Sequence, residues 1–439
     1  MTIPEPGEPH YSGPIMPPSL SDAPLQRSAG LEPIRILSVS DSESYLKWAT
    51  QLLSSLPDVE GRVFLIDNPI LPTDEQIASA VAGTDWEHRE VPVISRADLA
   101  QVIADHSPDI VLGAATGPIV AQVFLTAHTR TDRPALVSGL PGMGLPASGK
   151  GMNYRRLMDA FIAHSSAEVA AYTQASARSQ VPCEVLLARL PMLRSEGLPQ
   201  LKNSSPEATP PPPDSVTEAT PDTLVFAPQA KVPAERADRE AIIAALAEFA
   251  DRHPDSTAVI KMRSRPGEFE THHEQHSYFE ILDDFRTRRV PGADRIELGY
   301  GPLSDFLTDG STLVTVSSTA ALESIDRGIP TLLISDFGFK AELLNEVFEG
   351  SGATGTLADV AAGSIGFPDP EWLAENYFHA QDGQLRRDLG LLATRAQAGQ
   401  LPNRRSALFK QKRTLLRAEL RTVTPAPVVS AYRKLRGTA

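Results

Sequence analysis

The chain of 439 residues holds a single cysteine, Cys183. One thiol can build no intrachain disulfide and no cysteine-rich metal site, and such sparse use fits a reduced cytosol. No apolar run approaches the ~20 residues that a membrane-spanning helix needs. The opening stretch, MTIPEPGEPHYSGPIMPPSL, has neither a basic start nor an apolar centre, so no secretory signal is expected there. Its proline density predicts a disordered extension over residues 1–32. A net charge of −14 argues against general nucleic-acid binding.

What is present is a globular composition, 41% hydrophobic and 22% charged, on a chain too long for one ordinary core. Short apolar strands are expected at 34–39, 62–66, 109–112, 134–138 and 160–164, with helical patterns between them. After the Pro- and Ser/Thr-rich stretch NSSPEATPPPPDSVTEATPD the alternation restarts. Strands are expected at 223–227, 257–262, 295–298, 313–316 and 331–334, with a long helix at 234–252 and a short one at 303–308. Alternating strands and helices predict parallel sheets. The fold class is therefore α/β, two doubly wound Rossmann-like domains with a cleft at the carboxyl ends of their strands. The expected boundaries are 33–195 for the first domain, 196–222 for a linker, 223–400 for the second domain and 401–439 for a basic helical tail.

The segment LVTVSSTAALESIDRGIPTLLISD, 313–336, reads strand, polar turn, helix, glycine stop, strand. Ser317, Ser318 and Thr319 stand where the strand hands over to the helix. Free N–H groups and the helix dipole make such a point an anion site, and hydroxyls suit a phosphate. The same hydroxyls serve equally as an ordinary N-cap. Their place late in a second βα unit, with cations leaving a neighbouring strand, favours a phosphate. Those cations are Lys261, Arg263 and Arg265, which guanidinium and ammonium chemistry suits to a phosphate or diphosphate. The competing reading pairs them with Glu268 and Glu270 as a surface cluster.

Asp41 and Glu43 follow the first strand, in a position for a general base facing the phosphate site across the cleft. Ser40 or Asp41 is equally well placed to cap the next helix. His164, at the end of the fifth strand, is a cleft candidate or a satisfied core histidine. The glycine-rich GLPGMGLPASGKG, Gly139–Gly151, fits neither GxGxxG nor GxxxxGK[ST]. It reads as a flexible loop over the cleft, with Lys150, Asn153 and Arg155 at its end available to an acceptor, or as a long connection. His272, His273 and His276 lack the spacing and context of a zinc site, so no metal is expected.

From Asn403 on, ten Lys or Arg stand against Glu419 alone, a local charge of +9 that leaves −23 on the rest. Leu408, Phe409, Leu415, Leu416 and Leu420 fall roughly on one side of a helix there. The tail over 403–439 is read as a helix packing back on its own protein, with contact to an anionic membrane surface as the second reading.

Two doubly wound domains, the late strand–Ser/Thr–helix motif and a helical tail together resemble glycosyltransferases of the GT-B fold. The motif is similar to that of bacterial capsule-polymer and polysialyl-type transferases, where STxxLE at a helix start binds the donor phosphate. Ser318, Thr319, Leu322 and Glu323 match it, and Gly328-Ile329-Pro330 matches the Gly-x-Pro that follows. The whole chain resembles an actinobacterial family grouped as glycosyltransferases with no assigned substrate, over most of 34–400 and specifically over 313–336. Relatives carry His-Pro where this chain has Arg265-Pro266. Arginine holds phosphate but is no neutral hydrogen-bond partner or proton carrier, which leaves CMP, CDP, UDP and GDP open.

The resemblance implies a metal-independent, cofactor-free transfer of a sugar, hexosyl or sialyl/Kdo-type, from a nucleotide sugar to a glycan or other hydroxyl acceptor. It implies a cytoplasmic enzyme of cell-envelope polysaccharide synthesis, with Glu323 facing the sugar or ribose. Two other readings stand beside it. One is a nucleotide-sugar epimerase on the same fold. The other is a non-catalytic relative that binds a phosphorylated ligand, which the missing His-Pro favours.

Overall fold

The computed structural model describes residues 33–179, 183–193, 198–199, 220–262, 275–364, 366–380 and 382–423. The expected extension over 1–32, most of the linker, Arg263, Arg265, His272 and His273 lie outside the described residues. From Ile34 on the chain forms one compact unit.

Its first half runs β1 (Ile34–Ser40), α1 (Glu43–Ser54), β2 (Val59–Ile66), α2 (Asp74–Val81), β3 (Val93–Ile94), α3 (Leu99–His106) and β4 (Ile110–Ala114). It continues through α4 (Gly117–His128), β5 (Ala135–Gly139), α5 (Gly149–Tyr154), β6 (Ala160–Ala163), α6 (Ser166–Arg178) and β7 (Glu184–Leu187). The second half runs β8 (Thr223–Phe226), α7 (Arg236–Arg252), β9 (Thr257–Lys261), α8 (Tyr278–Thr287), β10 (Ile296–Gly299), β11 (Ser311–Thr315), α9 (Thr319–Asp326) and β12 (Thr331–Ile334). It ends with β13 (Thr354–Gly355), α10 (Leu357–Ala362), α11 (Pro370–Glu375), α12 (Gln384–Gln397) and α13 (Arg405–Val423). The short helix expected at 303–308 is a single 3-10 turn, Leu303–Asp305.

Among the described residues the strands make two all-parallel sheets, β3-β2-β1-β4-β5-β6-β7 and β10-β9-β8-β11-β12-β13. Parallel strands covered on both faces must be apolar throughout, and β4 and β12 are buried at every position. Strand order reverses between β1 and β4 in the first sheet and between β8 and β11 in the second. The helices on either side of such a reversal leave in opposite directions and open a crevice outside the carboxyl ends. Asp41 follows β1, and Ser317 to Thr319 follow β11, so both predicted motifs stand at these switch points.

The second unit does not end near residue 400 as expected. Helix α12 returns to the first sheet, where Leu385, Leu389, Leu392 and Ala393 join Leu46, Leu52, Ile110 and Val137 in one core. Helix α13 follows it, with Ala407 buried and Leu408 partly buried against the core on the opposite face. The 3.6-residue period revealed an apolar stripe on each helix but not which sheet the stripe would meet.

Candidate active site

The phosphate candidates separate by role. Thr315 ends β11 and donates its hydroxyl to the Ala227 carbonyl at 2.8 Å, joining the ends of the two switch-point strands. Ser317 is fully buried, and its Oγ donates to the Leu344 carbonyl at 2.8 Å. It therefore anchors the loop after β12 instead of facing a ligand, which corrects the expectation for this residue. Ser318 is the N-cap of α9, in extended conformation, and its Oγ accepts from Ala320 N at 3.1 Å. Thr319 opens the helix half-buried, and its hydroxyl has no hydrogen-bond partner among the described residues. Ser318 thus fills the cap role, and the neighbouring Thr319 hydroxyl is left unengaged among the described residues. Glu323 lies one turn further along α9, also half-buried.

Lys261 ends β9 and is half-buried. Its field reaches across to the first half of the molecule, where it helps draw down the pKa of Glu43. Arg239 is buried in α7 and donates to the carbonyls of Ala230 at 2.7 Å and Pro233 at 2.8 Å. A third bond from Arg239, to the His276 carbonyl at 2.6 Å, fixes the loop leaving β8 against the start of α8. His276 thus contributes its backbone, and among the described residues no cluster of His, Cys, Asp and Glu is arranged to hold a metal ion.

On the facing strand end, Asp41 is fully buried. Its Oδ2 accepts from the Thr116 backbone N–H at 2.9 Å and from the Thr116 hydroxyl. Its Oδ1 is buried with no partner. Ser42, not Ser40 or Asp41, holds the N-cap position of α1, and its side chain makes no capping bond. Burial pushes the Asp41 carboxyl above its ordinary value of 3.8, against the pull of the Thr116 bonds. Glu43, the first residue of α1, is also raised by burial, with Lys47 and Lys261 opposing.

Thr116, which the sequence did not single out, is the partner of Asp41. It occupies the N-cap position of α4 with Pro118 in the first turn, yet its side chain makes no capping bond. The hydroxyl serves Asp41 instead. The signal available was Gly113-Ala-Ala-Thr-Gly117, a strand end with a hydroxyl at the reversal in strand order.

The three acceptor-loop candidates do not stay together. Lys150 is exposed in α5, and Asn153 accepts from the Arg156 guanidinium. Arg155 is buried and braces the strand ends, which corrects the expectation that it stands available to an acceptor. It donates to Ser138 Oγ at 2.9 Å and to the Gly151, Ala115 and Tyr45 oxygens at 3.3 Å each. His164 is the satisfied core histidine: Trp48 Nε1 donates to its Nε2 at 2.9 Å and its Nδ1 lies 3.0 Å from the Ala188 carbonyl. Because indole N–H is only a donor, Nε2 must accept and Nδ1 carries the proton.

The loop from Gly139 to Ser148 does reach the second half of the molecule. A Cβ on Gly142 would stand 2.8 Å from Thr319 Cγ2, so the loop backbone lies directly on the start of α9. Gly144 is pinned at both ends, its N–H to Glu168 Oε1 at 2.7 Å and its carbonyl to the Tyr172 hydroxyl at 2.7 Å. A cavity of about 220 Å³ lined by Arg35, Glu60, Arg62, Asp105 and His106 opens elsewhere, beside the amino-terminal ends of β1 and β2.

Two doubly wound, all-parallel Rossmann-like sheets give the chain an α/β fold of the GT-B class. The chain belongs to the family described as "Putative glycosyltransferase (DUF6716)", whose sequence profile matches residues 36–392. Among solved structures it is similar to Staphylococcus aureus MnaA with UDP, at 13% identity and TM-score 0.48, covering 92% of this chain and 98% of that one. It is similar to Neisseria meningitidis UDP-GlcNAc 2-epimerase bound to UDP-GlcNAc, at 10% identity and TM-score 0.44, covering 82% and 100%. A third is a UGT transferase from Siraitia grosvenorii with UDP, at 13% identity and TM-score 0.41, covering 87% and 100%. No curated protein matches the chain.

Proposed function

We propose that the protein transfers a sugar from a nucleotide-activated donor to a hydroxyl of a glycan or other acceptor. The observation that carries this reading is geometric: the α9 N-terminus, with a Thr319 hydroxyl that meets no partner among the described residues, follows β11 at one switch point, and buried Asp41, with an unpartnered Oδ1, follows β1 at the other. Lys261 ends β9, two strands from the β11 that leads into α9, and supplies a cation on the same edge of the sheet.

The donor phosphate sits at the N-terminus of α9, where free N–H groups and the Thr319 hydroxyl meet it and Lys261 balances its charge. Glu323 faces the sugar or ribose. The acceptor hydroxyl enters from the side of Asp41, whose unpartnered Oδ1 takes its proton. The acceptor oxygen forms the bond to the anomeric carbon as the bond from that carbon to the phosphate oxygen breaks. The electron pair leaves with the phosphate, and the preorganised helix end stabilises the charge that develops there. Glu43, with its pKa also raised, is the second candidate base.

The test is hydrolysis and transfer with UDP-, GDP-, CDP- and CMP-sugars by the wild type, Asp41→Asn and Thr319→Ala. Turnover with one donor, lost in Asp41→Asn, supports the proposal. Conversion of a donor to its epimer without acceptor assigns an epimerase, and nucleotide binding without any turnover assigns a non-catalytic binding protein.

A further inference from the structure

The helix α13 divides its side chains by role. Arg404, just before the helix, is buried with its Nε 3.4 Å from Asp159 Oδ1. Ala407 and Gln411 are buried, and Leu408 packs on the core beside α4. These positions, three or four apart, form the face that holds the helix to the protein. The expectation that Leu408 and Phe409 share an apolar side is corrected: Phe409 is 67% exposed and Leu416 is 56% exposed. Seven residues apart, they lie two turns from each other on the outward face. Around them Arg405, Lys410, Lys412 and Arg413 are all exposed, and no Asp or Glu occurs between 404 and 416. The Arg413 guanidinium lies 5.8 Å from the Phe409 ring.

This face is the opposite in sign of the chain as a whole, which carries −14. A helix with outward cations flanking two large apolar side chains has the chemistry of a segment lying in the headgroup layer of an anionic bilayer. The apolar pair enters the acyl boundary while the cations meet lipid phosphates. We infer that the outward face of α13 docks the protein on an anionic lipid surface.

The direction of α13 gives this docking a consequence for the reaction. Gln411 Nε2 donates to the Tyr154 carbonyl at 3.0 Å. The Tyr154 ring lies against Gly117, where a Cβ would come within 2.5 Å of it. Gly117 follows Thr116, the partner of Asp41. The helix thus climbs toward the rim of the acceptor side of the cleft, and docking brings that rim to the lipid surface. The acceptor is then a hydroxyl carried at the membrane. This clause rests on the transferase reading, whereas the docking itself needs no nucleotide.

The full chain is tested by flotation with vesicles of phosphatidylcholine alone and of phosphatidylcholine mixed with phosphatidylglycerol. Two variants keep the test independent of folding, since every altered side chain is exposed: Phe409→Ser with Leu416→Ser, and Lys410→Gln with Lys412→Gln and Arg413→Gln. Each is first checked for an unchanged melting temperature. The wild type should float with phosphatidylglycerol vesicles only, release at high salt, and bind at least about 10-fold more weakly in the apolar variant and about 100-fold more weakly in the triple-charge variant. No flotation, equal binding to both vesicle types, or variants that float like the wild type would overturn the inference. Stronger capture by polyuridine than by vesicles would overturn it too, assigning the face to nucleic acid. If flotation holds and no nucleotide sugar is turned over, the transferase reading fails while the docking stands.

Discussion

Tyr377 donates its hydroxyl hydrogen to Glu168 Oε1 at 2.8 Å, and both side chains are buried. The same oxygen accepts from Gly144 N, and Oε2 accepts from His164 N at 2.8 Å. One buried carboxylate therefore joins the segment after α11, the loop lying on Thr319, and the end of β6. The loop and the crossing segment cannot shift independently while these bonds hold.

Replacing Tyr377 with Phe removes one bond to a charged acceptor, which costs about 1.5–3 kcal/mol. A lower melting temperature is expected, together with faster hydrogen exchange at Gly144. Unchanged exchange at Gly144 would show that the loop is held without the tyrosine.

Asp41→Asn should abolish turnover, with a loss of ~10²–10⁴-fold for a removed general base. Its effect on stability has the other sign. Burial raises the Asp41 pKa in the folded chain above the ordinary 3.8, so ionising it favours the unfolded chain. This cost is absent below 3.8, grows as pH rises, and is complete above the folded pKa. The asparagine variant should therefore melt higher than the wild type at neutral pH and equally at pH below 3.8. Thermal scans across that range check it.

Thr116→Val removes a hydroxyl bond that lowers the Asp41 pKa. The acid limb of the pH–rate profile should move to higher pH, because the base must lose its proton before it can act. A limb that stays in place would assign the base to Glu43.

Gly142→Ala places a methyl 2.8 Å from Thr319 Cγ2. The loop must lift, and a several-fold rise in donor KM is expected. Thr319→Ser, which removes the opposing methyl and keeps the hydroxyl, should restore much of the affinity in the double variant. Contacting residues are non-additive in this way. Additive losses would show that the loop is not seated on the helix.

Ser318→Ala removes the α9 cap and should cost ~0.5–2 kcal/mol of stability. Thr319→Ala should leave the melting temperature in place and weaken nucleotide binding, since its hydroxyl meets no partner among the described residues. The paired melting and binding curves separate the two roles.

Much of this architecture was legible because its strands are apolar and its switch points carry hydroxyls and carboxylates. The strand–SST–helix segment and the strand before Asp41 read correctly from local pattern alone. What was not legible rests on partners distant in sequence. Thr116 meets Asp41 across 75 positions, and Tyr377 meets Glu168 across 209. Arg155 read as available to an acceptor because nothing local shows that Ser138, Ala115 and Tyr45 would surround it with oxygens. The strands Val93–Ile94 and Thr354–Gly355 are too short for any period to register.

The return of α12 to the first sheet has a consequence for how the chain is made. Leu385, Leu389, Leu392 and Ala393 complete a core whose other buried members all lie between Ile34 and Ala188, the residue that follows β7. The ribosome adds about 200 residues between β7 and α12, which at ~5–20 residues per second takes about 10–40 s. Throughout that interval the nascent first sheet shows water the apolar strip that α12 later covers. A chaperone able to recognise Ile34, Leu46 and Leu52 has its opportunity then, and loses it when the last helices emerge.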